Sequence, residues 1–121
     1  MPLSQLASDI YDILRPMVPN PTAEITYHDL VARLGPLPVP NQNLQPRDRR
    51  LDEALGEIVT ECRARDLPAL PAIVVHSEDR IPGPGYYPMA HPQVADDRAR
   101  AMIAWGNEIL QVRRTTYPQA L

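Results

Sequence analysis

The side chains best placed to do chemistry are Arg47, Arg49 and Arg50, clustered ahead of an apolar helical pattern. A guanidinium is a planar fork that suits phosphates and carboxylates. The first backbone N–H groups of a helix attract the same anions. Asp48, Asp52 and Glu53 lie among these arginines, so internal ion pairs account for the cluster equally well. The second candidate is the run Pro82-Gly83-Pro84-Gly85-Tyr86-Tyr87. It reads either as a rigid turn or as a binding lip. In the second case Gly83 and Gly85 let a ligand approach the backbone, and Tyr86 and Tyr87 stack on a base or fill a pocket.

Other chemistry finds little support. His28, His76 and His91 have no ligand spacing to one another or to the single cysteine, so no metal site is expected. His76 stands beside Glu78 and Asp79, which could make it a base, but a solvated turn is the simpler reading. Ser77 lacks a nucleophile-elbow context. The Pro-Gly run lacks the Lys-Ser/Thr of a phosphate-binding loop. Cys62 falls on the apolar side of a helical pattern and reads as a small buried hydrophobe. No catalytic set, cofactor or metal is therefore expected.

The chain has 121 residues, 44% of them hydrophobic and 22% charged. That length fits one domain spanning 1–121. With one Trp, five Tyr and no Phe, its core must rest on aliphatic side chains. Every basic side chain is Arg, and the net charge is −3, a poor starting point for non-specific nucleic-acid binding. One cysteine rules out an internal disulfide. No signal peptide is seen, and no apolar run approaches the ~20 residues that span a membrane. The expected compartment is the cytoplasm.

Proline sets where regular elements can lie, because it lacks a donor and fixes φ. Leu3, Leu6, Ile10, Ile13 and Leu14 predict a helix from Leu3 to Arg15, capped by Ser4 and stopped by Pro16. Residues 23–26 read as a short extended piece. Thr26 then opens a helix through Leu34, with Asp29 at the capping-box position and Gly35 at C′. Residues 36–46 form a Pro- and Asn-rich loop. Leu51, Leu55, Ile58, Val59 and Cys62 predict an acid-rich helix over 48–66. Residues 72–75 read as a buried strand, and Tyr86-Tyr87 as a second strand or wing. A long helix is expected over about 92–114, burying Ala99, Met102, Ile103, Gly106, Ile109 and Leu110. Trp105 and Val112 then lie off that face, where they could serve a homodimer. Arg113 and Arg114 favour the helix end for structural reasons alone.

This order predicts an α+β, winged-helix-like fold: a three-helix core, a small β-hairpin wing and an extra C-terminal helix. Residues carry a matching resemblance. Glu24 to Gly35 resembles the "ITYGELA..LG" segment of the alkylguanine-DNA alkyltransferase and alkyltransferase-like winged-helix domain. Arg49 to Leu55 resembles its "R.VG.AL" recognition-helix start. Leu70 to Val75 falls at its "IPCHRVV" turn, and Ile81 to Tyr86 at its Gly-rich wing. The resemblance covers about residues 10–88 and implies a DNA-binding scaffold. It implies no transferase chemistry, because Ala72 and Ile73 stand where that family has Cys and His. Asp52 and Glu53 replace the family's helix glycines. The chain also resembles small bacterial winged-helix proteins with an "LP.L.A.VV…PG.GY" signature, which implies no activity. The leading expectation is a non-catalytic winged-helix-type binding module whose partner is double-stranded DNA or a protein, met through Arg47, Arg49, Arg50, Gly83, Gly85, Tyr86 and Tyr87. The alternative is a protein-interaction domain using the acidic helix and the Pro-rich loop. No membrane partner is expected.

Overall fold

A computed structural model describes residues 3–35 and 48–121. The expected loop over 36–46, and Arg47 with it, lie outside the described residues.

Helix α1 (Gln5–Leu14) begins two residues after the expected start, with Ser4 the expected cap, its hydroxyl accepting from the Ala7 N–H. That hydroxyl also donates to Glu57 Oε2 at 2.8 Å, and the Ser4 N–H donates to Glu57 Oε1 at 2.8 Å. One carboxylate thus ties the start of α1 to the middle of the helix that carries Glu57, while Ile10 and Leu14 of α1 are buried. Strand β1 (Ile25–Thr26) leads directly into α2 (Tyr27–Leu34). Thr26 serves both, since its hydroxyl accepts from the Asp29 N–H at 3.0 Å. Gly35 ends α2 in ordinary right-handed geometry, with φ −51°, so the left-handed C′ role expected of it is not used.

Helix α3 (Arg49–Ala64) is capped by Asp48 and buries Leu51, Leu55, Ile58, Val59 and Cys62, the face the sequence specifies. It stops two residues early. Asp66 takes φ +55°, its N–H reaches Arg63 O, and the Leu67 N–H reaches Cys62 O at 2.8 Å. This is the double bond of a Schellman cap, with Asp where Gly is usual.

Residues Leu70–Ile73 form a 3₁₀ turn, and β2 (Val74–Val75) follows. The strand begins two residues later than expected because Pro71 favours the turn. β2 pairs parallel with β1, Ile25 opposite Val74 and Thr26 opposite Val75. A parallel pair requires a crossover, and α2 and α3 supply it. The hairpin expected between 72–75 and Tyr86-Tyr87 does not form. Instead α4 (Tyr86–Ala90) takes the second segment. Pro88 sits in its first turn, where an N–H has no helical partner to lose.

Helix α5 (Arg98–Val112) begins six residues after the expected start, capped by the Asp97 side chain accepting from the Arg100 N–H. Its buried face also differs. Ala101, Ile109 and Val112 point inward, while Ile103 is 65% and Leu110 50% exposed. Trp105 packs against the core, its Nε1 donating to Ala72 O at 2.9 Å. Trp105 and Val112 therefore belong to the core side, the reverse of the expected arrangement. The C-terminal segment folds back, with Tyr117 Oη donating to Pro68 O at 2.6 Å and Tyr11 Oη to Pro118 O. The result is a helix-rich α+β protein with a two-stranded parallel sheet.

Candidate binding cleft

The segment after β2 is shaped by short-range bonds. The His76 N–H donates to Ile81 O at 2.9 Å, and the Arg80 N–H to His76 O at 3.0 Å. Asp79 Oδ1 accepts from the Ile81 N–H. Arg80 adopts φ +59° to close this turn, and its guanidinium reaches Glu24 at 3.3 Å. The His76 ring lies on Tyr27, with centroids 4.6 Å apart.

Tyr27 is the post around which the next turn folds. Its buried hydroxyl accepts from the Gly83 N–H at 3.0 Å. Burial pushes this phenol up to about 12, with the Gly83 bond opposing. A Cβ on Gly83 would sit 3.1 Å from both His76 Nε2 and Tyr27 Oη, so this position wants no side chain. The Tyr86 N–H then returns to Gly83 O and starts α4. Tyr86 is 4% exposed, and its hydroxyl lies 2.9 Å from His91 Nε2. Burial raises the Tyr86 phenol and lowers the His91 imidazole.

A second polar anchor fixes α5. Glu108 Oε2 accepts from Arg63 Nη1 at 2.8 Å and from the Ala69 N–H at 2.6 Å. Arg63 Nη2 also donates to Ala90 O. Burial works to raise the Glu108 carboxyl, but Arg63 and the Ala69 N–H hold it below its ordinary value. This one carboxylate joins α3, the approach to the 3₁₀ turn, and α5.

Between the 76–88 segment and the start of α5 these anchors leave an open cleft of about 480 Å³. Its apolar surface comes from Ile81, Pro82, Pro84, Pro88 and Met102. Tyr87, half-buried, forms one wall and donates to Met102 Sδ at 3.3 Å. Charge comes from Glu78, Asp79 and Asp96 against the single guanidinium of Arg98, and His76 also lines the cleft. Apolar walls with a few convergent polar groups are the usual make-up of a binding pocket.

The residues singled out from sequence divide sharply. Arg49 is 90% exposed, with Nε 3.2 Å from Glu53 Oε1. Arg50 forks onto Asp48, with Nη2–Oδ2 at 2.7 Å and Nε–Oδ1 at 3.1 Å. Both guanidiniums thus face carboxylates of their own helix start. Gly83 and Tyr86 are buried, and Tyr86 packs in the hydrophobic core. Gly85 is half-buried against Asp52. Burial raises the Asp52 carboxyl, and the charge of His76 pulls the other way. Of Gly83, Gly85, Tyr86 and Tyr87, only Tyr87 lines the cleft. Asp79, Asp96, Arg98 and Met102 were not among the expected site residues.

Among the described residues no group of three or more His, Cys, Asp or Glu is placed to hold a metal. No described helix is long and apolar enough to cross a membrane. Comparison with protein-family models, curated proteins and solved structures gave no match.

Proposed function

We propose that this chain is a non-catalytic binding module on a winged-helix-like scaffold, with α4 standing in place of a wing. Its working surface is the cleft between residues 76–88 and α5. Its occupant is a segment of a partner protein that carries an arginine or lysine. The observation that carries this reading is the make-up of the cleft, with carboxylates of Asp79 and Asp96 set beside Pro82, Pro88, Tyr87 and Met102. A long basic side chain has both parts needed to match it. Its methylene stem covers apolar surface while its head meets a carboxylate. A cation beside the face of Tyr87 gains further attraction. Net charge −3 favours such a partner over a polyanion.

Calorimetric titration with a short arginine-containing peptide tests this. The native chain is expected to bind in the micromolar to millimolar range, and Asp79→Asn with Asp96→Asn to weaken binding at least about tenfold. Equal affinity for the same peptide with glutamine in place of arginine overturns the reading.

Binding of duplex DNA is the second reading. The 90% exposure of Arg49 at the α3 start favours it. The paired carboxylates Asp48 and Glu53, and the buried Tyr86, weigh against it. Fluorescence anisotropy with duplex DNA at low salt decides: salt-sensitive binding that Arg49→Ala with Arg50→Ala abolishes supports it, and absence of binding removes it.

A further inference from the structure

Helix α5 has apolar side chains on two sides, and only one is used inside the fold. Ala101, Trp105, Ile109 and Val112 face the core. On the other side Ala99, Ile103, Gly106 and Leu110 follow at spacings of four, three and four. Among the described residues, Ile103 and Leu110 are the large hydrophobics left exposed. A Cβ placed on Gly106 would meet nothing within 4 Å. Alternating steps of three and four are the pattern of a helix-to-helix seam.

We propose that this stripe pairs antiparallel with the same stripe of a second copy, around a two-fold axis beside Gly106. The stripe is self-complementary in that arrangement, as an isologous contact requires. Ile103 of each copy falls opposite Leu110 of the other, and the absent side chain of Gly106 lets the helices approach at the crossing. Charge selects the direction. Asp97 precedes the helix, Asp96 being taken up by the cleft, and Arg113 and Arg114 follow it. Arg113 is tied back, its Nε donating to Ala23 O at 2.9 Å, so Arg114 is the cation that meets the other copy's acidic end. Arg98 turns into the cleft, and Arg100 lies off the stripe. A parallel pair would instead bring the two Arg114 side chains together, and it would align the two helix dipoles unfavourably.

The size of the seam sets its strength. A 15-residue helix is only about 22 Å long. One such contact falls below the ~800 Å² per partner of a stable interface, so the dimer is a weak one, micromolar or looser. Because α5 also lines the cleft through Ala101 and Met102, pairing would present two clefts on one particle.

Sedimentation equilibrium from about 10 µM to about 1 mM tests the proposal over the range where such a dimer forms. The native chain is expected to shift from monomer to dimer. Ile103→Glu and Leu110→Glu are each expected to raise the dissociation constant at least about tenfold with an unchanged melting temperature. Gly106→Cys is expected to form a covalent dimer on oxidation, since the crossing brings the two backbones within the ~7 Å that a disulfide spans. A native chain that stays monomeric throughout overturns the proposal and leaves the stripe to a different protein or to none. So does a dimer that Ile103→Glu leaves unchanged.

Discussion

Replacing Glu108 with alanine should loosen the wall of the cleft, and its cost follows from two bonds. The side chain is 12% exposed, and its Oε2 takes both the Arg63 guanidinium and the Ala69 N–H. Ala69 itself is 0% exposed, so its donor would lose its partner inside the fold, a loss of about 1–3 kcal/mol. Arg63 is 41% exposed, and water can take over most of its share, which limits the ion-pair contribution to about 1 kcal/mol. The expected total is about 2–4 kcal/mol, or a fall in melting temperature of roughly 10 °C for a chain of this length. Urea unfolding followed by fluorescence of the single tryptophan, Trp105, reads this directly. Glu108→Gln keeps an acceptor for Ala69 and should lose about half as much. Glu53→Ala removes only the exposed partner of Arg49 and should stay within about 0.5 kcal/mol. The effect also has a pH signature. The folded carboxyl holds its proton less tightly than the unfolded one. Its stabilisation is therefore complete above the ordinary value of 4.5 and fades as pH falls below it. A Glu108→Ala loss under about 1 kcal/mol at neutral pH, or one unchanged in acid, refutes this reasoning.

Other parts of the fold give separate tests. His91 is held neutral by burial, with Arg63 adding and Glu108 opposing, so stability should be full above pH 6.5 and fall as pH drops below it. His91→Gln, which keeps a partner for Tyr86, should remove that step from a pH series of urea midpoints. Asp66→Gly relieves a left-handed residue at the end of α3 and should add about 0.5 kcal/mol by the same unfolding assay. Cys62 is buried, and desolvation raises its thiol. An aromatic disulfide reagent should leave it unmodified until the chain unfolds, and prompt labelling of the native protein would contradict the core packing.

Some of this structure was legible because its signals are local. Ser4 and Thr26 are short acceptors placed just before periodic apolar runs, and both cap helices. The apolar face of α3 was fixed by one unambiguous stripe. The parallel pairing of Val74 with Ile25 was not legible, since nothing in either dipeptide names a partner some fifty residues away. Tyr86-Tyr87 read as strand because two aromatics after a Pro-Gly turn carry β propensity. The Gly83–Tyr27 bond and the Tyr86–His91 pair outweigh that preference. Helix α5 misled because it is apolar on both sides, so periodicity alone could not choose the buried one. The clue that could have chosen was Trp105, whose indole N–H needs an acceptor once buried. The cleft was hidden for the same reason as the sheet, because Asp79, Tyr87, Asp96 and Met102 meet only through tertiary contacts.

The most direct test of the proposed cleft is an amide chemical-shift map of the chain titrated with an arginine-containing peptide. Shifts should concentrate at residues 76–88 and 95–102 and vanish when glutamine replaces the arginine. Shifts confined to the α3 start around Arg49 and Arg50, or spread evenly over the surface, would contradict the assignment of the cleft as the working site.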